Sequence, residues 1–158
     1  MTNRIITDWG SHDAAVAEIL ALAQREIRVF DRDLAALKLE LGTHHALLRE
    51  FLSSERNGIL TIVVQDATRL LARHPRLTKL LEHYGHRFTL LRCAESLDGL
   101  ADSMLLADGT HALVRFHRDN VRARFVTGNP EACVPYLQRF SHILEEGGAA
   151  IPSTTLGL

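Results

Sequence analysis

Apolar residues recur along the chain with two periods that alternate. Apolar positions three and four residues apart, which are typical of helices, occupy four stretches. The predicted helices span residues 13–25, 44–56, 67–84 (interrupted at His74-Pro75) and 130–146. Short apolar or alternating runs, which are typical of strands, separate and follow these stretches. The predicted strands span residues 26–30, 59–64, 88–92, 104–107, 112–116 and 123–126.

The order of these elements predicts the fold class. Strands alternate with helices as far as residue 92, and three strands then follow without a helix between them. We therefore expect an α/β fold with a mixed, mostly parallel sheet and helices on both faces. One domain is predicted over residues 1–146, in which residues 1–25 form an N-terminal extension and helix. Residues 147–158 are predicted to form a flexible C-terminal tail.

Composition and charge exclude several classes of protein. The 158 residues suit one core, and 18 basic against 19 acidic residues exclude a wholly basic nucleic-acid binder. Two cysteines, Cys93 and Cys133, indicate no disulfide framework. The absence of a bilayer-length apolar run and of a signal-peptide core predicts a cytoplasmic protein without a membrane partner. No P-loop, dinucleotide loop or Cys/His metal spacing is present, so no cofactor and no metal are expected.

Two carboxylates, Asp31 and Asp33, follow the first predicted strand. An Asp-x-Asp pair at the end of a strand is suited to holding Mg²⁺ or attacking a phosphoryl group. The pattern is similar to the first motif of haloacid dehalogenase-type phosphatases, although Ala35 stands where those enzymes have a hydroxyl. One hypothesis is therefore a metal-dependent phosphohydrolase that uses Asp31 and Asp33, with Asp66 or Asp108. The alternative is that Asp33 caps a turn and Asp31 pairs with an arginine.

Residues 101–109, Ala-Asp-Ser-Met-Leu-Leu-Ala-Asp-Gly, resemble the signature strand of the phospholipase D superfamily. That strand reads His-x-Lys, four residues, Asp and often Gly. The Asp corresponds to Asp108, but Ala101 stands in place of the nucleophilic His and Ser103 in place of the phosphate-binding Lys. Alanine cannot form a phosphohistidine and serine carries no positive charge, so the resemblance implies a domain without the usual catalysis.

The order of elements over residues 26–146 also resembles one half of a phospholipase D unit. The segments 29–34, 62–66, 74–77 and 108–115 are similar to bacterial phospholipase D-like domains that occur alone or beside acetyltransferase domains. Catalytic members build one site from two halves, so the resemblance implies a homodimer joined near the strand ends that carry Asp108 and Arg115. It also implies an acetyltransferase domain as a possible partner.

Basic residues gather on the last two predicted strands and the turn between them. They are Arg115, His117, Arg118, Arg122 and Arg124. Alternate positions of a strand share a face, so these side chains are suited to binding phosphate or nucleic acid, which is a further alternative. The favoured hypothesis is a non-catalytic binding, regulatory or partner-docking module. The residues expected to line its ligand pocket are Asp31, Asp33, Asp108, His111, Arg115 and His117.

Overall fold

The computed structural model describes residues 1–153. Eight strands form one sheet: β1 (Thr2–Ile6), β2 (Glu26–Asp31), β3 (Ile59–Val64), β4 (Phe88–Cys93), β5 (Ser103–Ala107), β6 (His111–Arg115), β7 (Ala123–Thr127) and β8 (Gly148–Ala150). Five α-helices accompany it: α1 (Trp9–Leu22), α2 (Gly42–Ser53), α3 (Leu70–Arg73), α4 (Pro75–His83) and α5 (Pro130–Glu145). No helix in residues 1–153 has the length and apolar character needed to span a membrane.

The sheet is mixed, but its pairings are mainly antiparallel. Its order is β1-β7-β6-β5-β2-β3-β4-β8, and only the β2–β3 and β3–β4 pairs are parallel. The prediction of a mostly parallel sheet is therefore wrong. A parallel neighbour needs a long crossover connection, whereas β5, β6 and β7 follow one another through short turns. These turns fix antiparallel pairing, and β1 and β8 pair antiparallel with β7 and β4 at the two edges.

Helices cover both faces of the sheet, as the sequence predicts. The first face packs against α1, α2 and α4 through a core that includes Ile19, Leu48 and Leu77. The second face packs against α5 through a smaller core that includes Phe30 and Phe140. Because alternate residues of a strand face opposite sides, one strand such as β2 supplies apolar side chains to both cores.

The two edge strands and the start of α1 differ from the sequence prediction. Helix α1 begins four residues earlier than expected because Asp8 caps it, its carboxylate accepting the Ser11 backbone N–H at 2.7 Å. Strand β1 lies in the predicted extension, and β8 lies in the predicted tail. Residues 154–158 of that tail lie outside the described residues.

Candidate functional site

Three polar side chains form one row across neighbouring ends of β2, β5 and β6, on the face covered by α1. Ser103 of β5 pairs directly with Arg115 of β6. Phe30 pairs with Met104, so the antiparallel register places Asp31 of β2 beside Ser103. We call Asp31, Ser103 and Arg115 the polar row. All three are almost fully buried, with at most 2% of each residue exposed.

Every oxygen of the Asp31 carboxylate has donors. Oδ1 accepts the Ser103 hydroxyl at 2.5 Å and Arg115 Nη2 at 3.0 Å. Oδ2 accepts the backbone N–H of Leu34 at 2.7 Å and that of Asp33 at 3.2 Å. Four donors offset the cost of burying a carboxylate, so Asp31 is stably held in this position. The pairing of Asp31 with an arginine is the alternative that the sequence had left open.

Arg115 has further partners on the side away from Asp31. Its Nη1 donates to the backbone oxygen of Arg118 at 2.6 Å, and this contact ties the β6–β7 turn to the polar row. Its guanidinium carbon lies 5.6 Å from the centre of the Trp9 ring, within range of a cation–π interaction. Its Nε is buried and has no hydrogen-bond partner among residues 1–153.

The first turns of α1 cover the polar row. His12 is buried, and its ring meets Trp9 edge to face with centroids 5.2 Å apart. Burial first, and then the positive charge of Arg115, lower the pKa of His12 to about 4. The imidazole is therefore neutral at pH 7, and it brings no second cation to the buried guanidinium.

This arrangement is a closed ion pair rather than an open reaction centre. A group that attacks phosphorus must reach the substrate, whereas Asp31 and Arg115 each expose only 3% of their side chains. Both charges are already matched to each other. The geometry supports a structural role. The polar row joins β2, β5 and β6, and it anchors α1 and the β6–β7 turn to these strands.

Asp33 and Asp66 lie beside the same end of the sheet but outside the polar row. Asp33 Oδ1 accepts the backbone N–H of Ala35 at 3.0 Å, so it caps a turn. Hydrogen bonds from the hydroxyl and the backbone N–H of Thr68 lower the pKa of Asp66. Both carboxylates line a groove of about 270 Å³ together with Arg69. Within residues 1–153, no three Cys, His, Asp or Glu side chains gather as a metal-binding group.

Asp108 and His111 lie at the opposite end of the strands, in and beside the turn between β5 and β6. Asp108 and Gly109 both have positive φ, 56° and 69°, in a turn closed by the Thr110 N–H donating to Ala107 O at 3.0 Å. The Asp108 carboxylate accepts the backbone N–H groups of residues 24, 25 and 26 at 2.7–3.0 Å. It therefore ties this turn to the start of β2, far along the strands from Arg115.

The structure thus divides the six predicted pocket residues. Asp31 and Arg115 come together, and Asp33 lies next to them. His117 is half exposed in the β6–β7 turn, where its ring lies 3.7 Å from Asp119. Burial of Arg115 removes the central member of the basic patch expected on β6 and β7. Arg124, another member, donates to the Asn3 side chain at 2.9 Å.

Trp9 and His12 are neighbours of the polar row that were not predicted from the sequence. The signal that could have found them is the position of Asp8, a strong helix-capping residue directly before Trp9. A helix that begins there places Trp9 and His12 three residues apart, on one face of its first turn.

Comparison with known structures identifies the fold. TrmBL2, an archaeal chromatin protein, has a TM-score of 0.70 and 16% identity over 96% of this chain, which spans 54% of TrmBL2. Nuc, a phospholipase D family member from Salmonella typhimurium, has a TM-score of 0.66 and 12% identity. NucT from Helicobacter pylori has a TM-score of 0.59 and 11% identity. The coverage is 96% and 98% of the two chains for Nuc, and 95% and 99% for NucT.

These similarities show that the chain shares the fold of phospholipase D family members. At such low identity they carry no further information about activity. A comparison with curated proteins gives no significant match. Residues 9–151 match the family described as a domain of unknown function, DUF7931. Since this match covers most of the chain, the protein belongs to that family.

Proposed function

We propose that this protein is a non-catalytic domain of the phospholipase D fold that acts as a binding or partner-docking module. The polar row is the observation that carries this proposal. Ser103 occupies the position that the resemblance assigns to the catalytic Lys, and it donates to a buried carboxylate instead of facing a substrate. Ala101 occupies the position assigned to the nucleophilic His, and its backbone oxygen accepts the Arg118 N–H at 2.7 Å.

The folds of the structural neighbours support a binding role. Nuc is a phospholipase D family member, whereas TrmBL2 is an archaeal chromatin protein described as having a novel mode of DNA binding. The same fold is thus used for more than one purpose, and function has to be argued from the side chains present. Here the buried side chains of the polar row favour a structural purpose for this end of the sheet.

An assay of hydrolysis tests the non-catalytic part of this proposal. The purified protein is incubated with bis(p-nitrophenyl) phosphate and with p-nitrophenyl phosphate, with Mg²⁺ and with a chelator. We expect no turnover above that of a heat-inactivated sample. Metal-dependent turnover that is lost in Asp31→Asn and in the more exposed variant Asp33→Asn would overturn the proposal in favour of the Asp-x-Asp phosphohydrolase. Chelator-resistant turnover of the diester would also overturn it.

We also propose that two copies associate near the Arg115 end of the sheet. Two large aromatic residues are exposed there: Phe116 directly follows Arg115 and is 43% exposed, and Trp9 contacts Arg115 and is 44% exposed. Catalytic members of the superfamily that this chain resembles pair two halves to form one site. Asp108 lies at the other end of the strands, so it is not part of this interface.

Light scattering after size exclusion tests the association. A dimer of the 17.6 kDa chain has twice that mass, about 35 kDa. We expect Phe116→Ser to shift the sample toward the mass of one chain, and the matched control Val134→Ser, a change at an exposed residue of α5, to leave it unchanged. A single-chain mass for the native protein at high concentration would contradict the dimer.

A further inference from the structure

A groove of about 460 Å³ lies between α2 and α4, away from the polar row. We call it the cationic groove. Its lining residues are His45, Arg49, Arg76, Lys79, Leu80, His83 and Tyr84. Positions 45 and 49 of α2 are four apart, and positions 76, 79, 80 and 83 of α4 recur at intervals of three or four, so each set shares one face of its helix. The two faces together carry three permanently positive side chains, and no carboxylate lines the cationic groove.

None of Arg49, Arg76 and Lys79 forms an ion pair with another of the described residues. The guanidinium of Arg76 donates to the backbone oxygen of Glu40 at 3.3 Å. Glu40, a carboxylate beside this region, accepts the backbone N–H groups of Arg76 and Leu77 at 2.5 and 3.0 Å. It therefore caps the first turn of α4. In a chain with a net charge of -1, this local excess of positive charge favours an anionic ligand.

His45 provides a second, independent observation. Its ring lines the cationic groove, yet only 6% of the residue is exposed. Its Nδ1 is buried and has no hydrogen-bond partner among the described residues. Buried polar atoms are nearly always paired in folded proteins, so an unpaired nitrogen in a ring that lines the groove favours a polar ligand there.

We propose that the cationic groove binds a phosphate-bearing nucleotide, either free or within a nucleic-acid strand. The arginine and lysine side chains are suited to phosphate oxygens, which they contact through charge-assisted hydrogen bonds. The exposed ring of His83 offers a face on which a base can stack, and the Tyr84 ring supports it edge to face with centroids 4.6 Å apart. The volume of the groove exceeds what a single phosphate ion needs, and Leu80 supplies an apolar contact for the organic part of the ligand.

Two probes distinguish the two sources of this ligand chemistry. The first is a fluorescein-labelled oligothymidylate of about twelve nucleotides, followed by fluorescence anisotropy. The second is thymidine 5′-monophosphate, followed by isothermal titration calorimetry. The groove variant is Arg49→Gln/Lys79→Gln, in which two exposed cations become neutral. The control is Arg25→Gln/Arg56→Gln, which removes the same charge from exposed positions outside the groove.

We expect the groove variant to bind the oligonucleotide at least about tenfold more weakly at about 50 mM salt. Each phosphate contact is worth roughly eightfold under that condition. The slope of log affinity against log salt should fall by about 1.4 between about 50 and 200 mM salt, since each single-strand contact contributes about 0.7. The control should stay within about twofold of the native protein. Circular dichroism of both variants verifies that they are folded.

The outcomes separate clearly. Binding of the oligonucleotide alone, lost in the groove variant, supports a site for a strand, and equivalent loss of monophosphate binding supports a site for a free nucleotide. Failure of the native protein to bind either probe, or equal weakening in the control, would overturn the proposal. The polar row is not involved, so turnover in the hydrolysis assay would refute the non-catalytic role without affecting this site.

Discussion

Replacing Arg115 with methionine should destabilise the domain far more than the loss of a surface ion pair would. Methionine keeps much of the side-chain volume but leaves Asp31 buried without its cation. Breaking a buried pair from one side typically costs about 3–5 kcal/mol. Asp31 retains three other donors, from Ser103, Leu34 and Asp33, so the lower end of this range is expected. For a domain of this size, about 3 kcal/mol corresponds to a decrease in Tm of about 6–12 °C.

Urea denaturation at pH 7 measures this effect, with far-ultraviolet circular dichroism and tryptophan fluorescence as probes. Trp9 is the single tryptophan, and its ring lies against Arg115, so its emission reports directly on the polar row. The matched control is Arg139→Met. Arg139 contacts Asp102 through two short bonds of 2.6 and 2.7 Å, but its side chain is 43% exposed. An exposed pair contributes at most about 1 kcal/mol.

The double variant Asp31→Asn/Arg115→Met removes both buried charges. It should be about 1–3 kcal/mol more stable than the sum of the two single changes predicts, because neither charge is then left alone. If Arg115→Met costs no more than Arg139→Met, the structural interpretation of the polar row is wrong. A coupling free energy of zero between Asp31→Asn and Arg115→Met would refute that interpretation independently.

Two further predictions concern groups at either end of β2. The pKa of His12 is about 4 in the folded state and near 6.5 in the unfolded state. Between these two pH values the unfolded state binds more protons than the folded state. The free energy of unfolding should therefore fall by about 2–3 kcal/mol as the pH drops from 6.5 to 4. Urea midpoints at pH 7 and 4.5 should show a smaller decrease for His12→Gln, and an equal decrease would contradict the assignment. Asp108→Ala should lower the free energy of unfolding by about 1–3 kcal/mol because three backbone N–H groups lose their acceptor. Thermal melts should place Asp108→Asn between the native protein and Asp108→Ala, and no effect of either change would contradict a structural role.

The central strands were predictable because they are buried, and buried strands appear in the sequence as short runs of apolar residues. Residues 59–64 form an apolar stretch that only Thr61 interrupts, and all but two of these residues are buried in β3. The edge strands carry no such signal. All three residues of β8 are exposed, and β1 has one buried residue among five, so their pairing depends on backbone contacts that composition does not record. The parallel or antiparallel sense of β5 likewise depends on the connection before it.

The candidate site was only partly predictable for a related reason. Asp31 and Arg115 were both identified, and a pairing of Asp31 with an arginine was one alternative. Which arginine it pairs with depends on the register of three strands, since a shift by one residue would turn Arg115 to the other face. The separation of Asp108 from Asp31 follows from the same register. The cationic groove combines residues of two helices more than twenty positions apart, and no local motif marks it.

The positions of β1 and β8 at opposite edges of the sheet have a consequence for protein engineering. Seven inter-strand spacings of about 4.8 Å separate them, so the two edges are about 34 Å apart. Linking residue 150 directly to residue 2 in a circular permutant would therefore need a connecting peptide of at least about ten extended residues. A tag or fluorophore at residue 2 and another near residue 150 would, for the same reason, report on the width of the whole sheet rather than on a local contact.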